Sequence, residues 1–262
     1  MAGDDAHIRA HLTRPAQSGP SQESPGLSPA AAKLRLLKRL RCTLRFEKEA
    51  WGTGAQRVGG VDEAGRGCLF GPVVAAAVIL NPGDRIRGLR DSKLLPEETR
   101  ERLAGEIRKR AVCWAFAAVD SATIDVINIL QASRLAMLNA VQQLRPEPDF
   151  LLVDAVRLDH ACPQRAIIHG DALSASIAAA SIIAKVERDR MMRELDALYP
   201  QYALASNKGY GTRVHREALL VHGPTPLHRM TFAPVRNTQE EFLFSDDVDD
   251  LLIEPTESGF SA

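Results

Sequence analysis

Aromatic residues are scarce in this chain, at 5% of its 262 residues, and both tryptophans, Trp51 and Trp114, lie far in sequence from the acids discussed below. Paired carboxylates can hydrolyse glycosides, but sugar clefts are usually lined with aromatic rings, so that reading has little to build on. Cysteine is equally sparse. Cys42, Cys68, Cys113 and Cys162 form no CxxC pair, which argues against a zinc cage or a disulfide framework and leaves four reduced thiols. Cys68 follows a glycine-arginine turn, yet no histidine lies near it in sequence to activate a nucleophile, and a small buried residue is the plainer reading. No apolar run approaches the roughly 20 residues that cross a bilayer, and the N-terminus lacks the basic and then hydrophobic blocks of a secretory signal. A cytoplasmic protein without membrane contact is expected. No internal repeat is apparent. What is present, 45% apolar and 25% charged residues, suits one large domain or two small ones with a substantial core.

The formal net charge of zero hides an uneven distribution. Between Ala31 and Lys48 stand Lys33, Arg35, Lys38, Arg39, Arg41, Arg45 and Lys48 against Glu47 alone. From Asn237 to Ala262 there are eight acids and no base, which leaves the rest of the chain at +8. A basic body with an acidic tail fits a polyanionic partner. On charge alone, solvated faces explain the same pattern equally well.

The chain divides by composition. Residues 1–29 are rich in Ala, Pro, Ser and Gly without hydrophobic period and read as a disordered extension. Residues 30–56 contain a basic amphipathic segment, helical over Ala30 to Trp51 by the spacing of Leu34, Leu37, Leu40 and Leu44, leading into the domain. Residues 57–199 alternate strands and helices: Val58 to Asp62 and Pro72 to Leu80 as an antiparallel pair, a helix over Pro96 to Arg110, a strand over Ala111 to Val119, and a helix over Ser121 to Leu144. Asp149 to Val153 and Arg165 to His169 supply two more strands, followed by a helix from about Ser174. The sum is an α/β fold with a mixed five-stranded sheet flanked by helices. Residues 200–236 form a small helical C-terminal cap bearing Lys208, Arg213, Arg216, Arg229 and Arg236, and residues 237–262 an acidic, disordered tail.

Four acids stand out by position. Asp62 and Glu63 end the first strand, Asp154 follows "DFLLV", and Asp171 precedes the last long helix. A buried acid without a partner costs several kcal/mol or loses its charge, so four gathered at one sheet edge require cations. Two divalent ions would balance about four negative charges, all-oxygen ligands favour Mg²⁺ or Mn²⁺ over zinc, and two such ions roughly 4 Å apart suit phosphodiester hydrolysis. Taken singly, each acid is explained as well by helix capping or by pairing with Arg66, Lys185 or Arg188.

The segments "GVDEAGRG", "GPVVAAAVIL", "DSKLL", "LLVDAV", "HGDALSASIAAASIIAKVERDR", "ASNKGYGT" and "PLHRMTFAPV" occur in this order. Together they closely resemble the bacterial ribonuclease HII family, a type 2 ribonuclease H, over about Leu34 to Val235. The resemblance implies a ribonuclease H-like fold and a metal-dependent endonuclease, with two Mg²⁺ or Mn²⁺ ions during catalysis. Its partners would be RNA-DNA hybrids and duplex DNA containing embedded ribonucleotides, and its products would carry 3′-hydroxyl and 5′-phosphate ends. It makes Asp62, Glu63, Asp154 and Asp171 the catalytic metal ligands. It places Gly65, Arg66 and Gly67 at the ribose 2′-hydroxyl and Tyr210 against the adjoining deoxyribose. Reading one hydroxyl needs donors and acceptors at close quarters, and glycines let the backbone approach. Lys93, Lys185, Lys208, His228 and Arg229 are expected to bind phosphates or to support the groups that do; ordinary surface bases are the competing reading.

The chain departs from the family's usual wording at Cys68, at Leu173, where a lysine is usual, and at Ala203-Leu204. The lysine's absence bears on substrate affinity or metal preference more than on the reaction. A non-catalytic nucleic-acid-binding module is the alternative function, although a pure binder gains nothing from acids aimed at phosphates. "QEEFLF", Gln239 to Phe244, is similar to short peptides that dock on sliding clamps, against the alternative that Phe242 and Phe244 fold back on the cap. A monomer is expected.

Overall fold

A computed structural model describes residues 40–238. The expected N-terminal extension, residues 30–39 of the basic segment and nearly all of the acidic tail, with Gln239 to Phe244, lie outside the described residues.

Five strands form one sheet in the order β3-β2-β1-β4-β5, with β1 Val58–Ala64, β2 Val73–Ile79, β3 Cys113–Val119, β4 Phe150–Asp154 and β5 Gln164–Ile167. The connection between β1 and β2 is too short for a crossover, so they pair antiparallel, with Asp62 opposite Ala76; β3 extends the same meander. β4 reaches the other side of β1 only after a long excursion and therefore runs parallel to it, Val61 beside Val153. That register decides the site. The next residues on these two parallel strands are Asp62 and Asp154, which leave the sheet at the same edge.

Helices cover both faces. One face packs against α3 (Ser121–Gln142) through Ala132, Ala136, Met137 and Ala140. The other packs against α2 (Glu97–Arg110) and α5 (Ala175–Asp196) through Leu103, Ile107, Ala179, Ile182 and Ile183. The small residues of α5 let it approach β1 closely: a Cβ at Gly60 would stand 2.1 Å from the Ser176 carbonyl carbon.

Two expectations need correction. The basic helix expected over Ala30 to Trp51 is helical, among the described residues, only in α1, Arg45–Gly52. Just before it, Thr43 pairs with Ser174 as an isolated parallel bridge, its N–H donating to Leu173 O and its carbonyl accepting from Ala175 N; an extended backbone satisfies those groups where a helix could not. The long helix expected over Ser121 to Leu144 is interrupted at Asn128 (φ +67°, ψ 162°). Its side-chain oxygen accepts from the N–H groups of Leu130 and Gln131, restarting the helix as a cap does.

The C-terminal part contains a short turn α6 (Leu204–Asn207), α7 (Arg213–His222) and a helical run from 233 to the end of the described residues. Phe70, Met192, Tyr202, Leu219 and Val235 share its core. Asp125 of α3 pins it to the sheet domain by accepting from the N–H groups of Met230 and Thr231 and from the Thr231 hydroxyl. Among the described residues no helix is long and apolar enough to cross a membrane.

Candidate active site

β1 delivers Asp62 and Glu63, β4 delivers Asp154, and the four-residue turn α4 (Gly170–Leu173) delivers Asp171. Backbone donors fix two of these carboxylates: Glu63 N donates to Asp62 Oδ1 at 2.7 Å and Gly170 N to Asp154 Oδ1 at 2.8 Å. The turn carrying Asp171 is held from behind by Glu47 of α1, a fully buried acid that accepts from the Ser174 hydroxyl (2.6 Å) and from Ser176 N (2.8 Å).

The acids feel one another. Burial, and then the charges of Glu63, Asp154 and Asp171, push Asp62 well above the ordinary carboxylate range. Burial also raises Glu63, against the pull of Arg66. Asp154 is pushed up to about 6 by burial and then by Asp171. The cation in their midst is Lys93, whose ammonium lies 3.2 Å from Asp171 Oδ2 and 3.8 Å from Asp91 Oδ1. Although burial opposes it, the charges of Asp171, Asp62 and Asp91 hold Lys93 above the usual lysine value.

These residues fit hard divalent cations by chemistry: oxygen donors only, mostly buried, and an excess of negative charge that one lysine does not balance. Among the described residues no three such groups already converge as a ligand shell.

The glycine-arginine turn adjoins the acids. Arg66 extends outward and pairs with Glu63 at 3.3 Å. Gly65 is required for two reasons: its φ is +92°, and a Cβ there would meet Arg188 Nε at 2.0 Å. Gly67 has no packing reason at all, because nothing lies within 4 Å of the place its Cβ would occupy. Its bareness leaves open space beside the acids.

Tyr210 faces the same turn. Its backbone forms an isolated bridge with Cys68, Gly209 O accepts from Leu69 N at 2.8 Å, and the ring is 40% exposed with the Lys185 ammonium 5.9 Å from its centroid. Cys68 is buried, donating to Lys208 O at 3.6 Å, and burial raises its thiol above the ordinary value. It is a structural residue where turn and tyrosine loop meet.

Several of the bases expected to bind phosphates or to support the groups that do are turned into the protein. Arg229 is fully buried and donates to Gly71 O and Arg66 O. His228 is fully buried, accepts from Thr225 N and sits 3.1 Å from His215 Nε2; burial, then His215, brings it down to about 3, so it is neutral. Lys208 is drawn to Glu97 at 3.6 Å, and Lys185 to Asp189 at 2.5 Å. Arg229 and His228 are therefore supports, for the turn and for the cap. Lys93 does stand at the acids.

Sequence reasoning missed the largest support, Arg188. Its guanidinium is buried and donates to the carbonyls of Phe70, Pro72 and Lys208, tying the Gly65 turn to the Tyr210 loop. Nothing in its neighbourhood in sequence distinguishes it from an acid's partner; only the exposed carbonyls of two distant loops explain a buried arginine there. Asp91 and Glu47 were likewise unassigned.

A family model described as ribonuclease HII matches residues 59–235. A ribonuclease HII of Koribacter versatilis is 63% identical over 209 residues, 80% of this chain and 82% of the relative. Among solved structures, a ribonuclease H2 from Pyrococcus horikoshii superposes with a TM-score of 0.62 at 28% identity, covering 72% of this chain and 99% of that one. A PCNA:RNase HII complex from Archaeoglobus fulgidus gives 0.54 at 28% identity, over 70% and 96% of the two chains.

Proposed function

Because the chain belongs to the ribonuclease HII family, whose members are endoribonucleases acting on RNA-DNA hybrids, we propose that it also nicks duplex DNA at embedded ribonucleotides, in the cytoplasm, and leaves 3′-hydroxyl and 5′-phosphate ends. The observation that carries this reading is the adjacency of four acids, from β1, β4 and α4, to a turn whose Gly67 is bare for no packing reason and whose Cys68 is bridged to Tyr210.

Asp62, Glu63, Asp154 and Asp171 would hold two Mg²⁺ or Mn²⁺ ions, which when bound supply an activated water and stabilise charge on the leaving oxygen. The chain's own residues do the rest. Arg66 and the backbone of Gly65 and Gly67 meet the ribose 2′-hydroxyl, with the Arg66 carbonyl held by Arg229 and Gly65 packed against Arg188. Tyr210 packs on the neighbouring sugar, where a deoxyribose fits and a second hydroxyl crowds. Lys93 orients Asp171 and offsets part of the charge that the acids gather. Acids and sugar reader are contiguous because the hydroxyl that is recognised neighbours the phosphate that is cut.

Asp62→Asn and Asp154→Asn test the reading on a duplex with one ribonucleotide in Mg²⁺ and in Mn²⁺. Both variants should fold, bind the duplex and leave it uncut; full metal-dependent cleavage by either would overturn the assignment. Binding by the wild-type chain without any nick would favour the binding module instead.

The Gln239 to Phe244 segment outside the described residues is proposed as a sliding-clamp peptide; the support is its sequence, together with the Archaeoglobus complex, which pairs a relative with PCNA. Clamp capture that survives removal of residues 236–262 would dispose of it.

A further inference from the structure

A cavity of about 250 Å³ opens beside the start of α5, outside the turn and the tyrosine loop. One wall is the extended segment Cys42, Thr43 and Leu44; the other is the loop from Leu80 to Leu89 that follows β2. Arg85 and Arg87 line it and are exposed. Among the described residues neither guanidinium has an ion pair: Asp84, the one acid in the lining, is already taken by Arg110, whose Nε lies 2.9 Å from its carboxylate. The remaining lining is largely aliphatic, from Leu44, Leu80, Ile86 and Leu89. Two unpaired guanidinium groups over a low-dielectric floor focus a positive field on whatever enters.

The cavity is joined to the catalytic edge on both sides. Ala175 in its lining is four residues past Asp171, and the loop that bears Arg85 and Arg87 continues to Lys93, which touches Asp171 at 3.2 Å. Burial, and then the charges of Glu47 and Asp171, push the Cys42 thiol in its wall up to about 12 against the opposing charge of Arg85. An anion seated here is held by different groups from those that meet the ribose.

We propose that this cavity is a phosphate-binding site for the nucleic-acid backbone, in which Arg85 and Arg87 take a phosphodiester of the duplex at a distance from the one that is cut. The inference rests on the nuclease reading and adds to it a contact region on the β2–α2 loop. Phosphate contacts of this kind position a duplex and carry no sequence information. A free phosphate ion offers the same chemistry, and the test separates the two.

The full chain and its R85A/R87A variant are compared on a duplex containing one ribonucleotide, over a range of salt, with inorganic phosphate as a competing probe in a parallel series. The expected result is a KM raised about tenfold with kcat held within about twofold, and a dependence of log KM on log salt shallower by about one, since one lost phosphate contact removes close to one unit of slope. R85K/R87K should recover most of the salt slope, because charge sets that term. Arg87→Ala alone, which should show about half the slope change, provides the same readout if the double variant melts early. Unchanged KM and slope in R85A/R87A, with an active wild-type chain, would overturn the inference and leave the nuclease reading intact. A variant that loses inhibition by inorganic phosphate while its duplex KM stays the same would also overturn it, in favour of a free-phosphate site. Failure of the wild-type chain to cut the duplex at all would instead remove the reading on which it rests.

Discussion

Lys93 Nζ lies 3.2 Å from Asp171 Oδ2, so the strongest positive charge at the acids comes from the loop after β2 and not from the position beside Asp171. Beside Asp171, Leu173 packs its side chain in the small cluster around Phe46 and Ile177. Asp171 depends on Lys93 for its nearest counter-charge, as Glu63 depends on Arg66.

Lys93→Met should therefore tighten divalent metal binding while weakening the substrate. Removing a unit charge about 3–4 Å from a carboxylate is worth a few kcal/mol at an effective dielectric near 20, part of which solvent screens because the lysine is 68% exposed. A fall of about tenfold in the Mg²⁺ dissociation constant, read by calorimetry, is expected with a rise in KM.

The metal-free protein should lose stability as pH rises from about 4 to above 6. A carboxyl group whose folded pKa is raised binds its proton more tightly folded than unfolded; it supports the fold below its unfolded value, 3.8 for Asp154, and that support is lost as pH passes its folded value, about 6. Asp62 and Glu63 shift in the same direction. Melting in EDTA at pH 5 and pH 8 should show the drop, and saturating Mg²⁺ should remove it.

Gly65→Ala and Gly67→Ala should separate folding from recognition. At position 65 a Cβ adds strain at φ +92° and meets Arg188 at 2.0 Å, so a loss of several kcal/mol in stability is expected. At position 67 the space is open; the melting temperature should hold while cleavage at a single ribonucleotide falls by at least about tenfold, as a displaced near-attack geometry requires.

Arg229→Met should destabilise the junction of turn and cap. It leaves Gly71 O and Arg66 O without their buried donor, at about 1–3 kcal/mol for each unsatisfied group. Denaturant titration gives the loss, and discrimination between ribonucleotide and deoxyribonucleotide sites should decline with it because Arg66 is no longer held.

Much of the architecture was legible in the sequence. The alternation of apolar strands and long helices gave five strands close to their observed limits, and the short link after Asp62 dictated the antiparallel start. The break at Asn128 was not legible, because an asparagine inside an otherwise continuous helical pattern carries no mark of a side chain that will cap its own chain two and three residues on. The start of α1 was missed for a similar reason. The leucine spacing before it continues, but Thr43 is claimed by the turn at Ser174, more than a hundred residues away.

By itself the sequence determined the kind of site: four acids at the ends of apolar segments, and a glycine-flanked arginine following two of them, can hardly serve packing. Only the tertiary structure decided which basic groups face outward. Arg188, Arg229 and His228 look like surface charges along the chain, yet each lies inside, bonded to carbonyls or ring nitrogens of loops remote in sequence. Arg85 and Arg87 look no different and remain exposed over a cavity. The physical reason is that burial of a charge depends on partners brought by distant segments, and local sequence fixes the donor without fixing the acceptor it will meet.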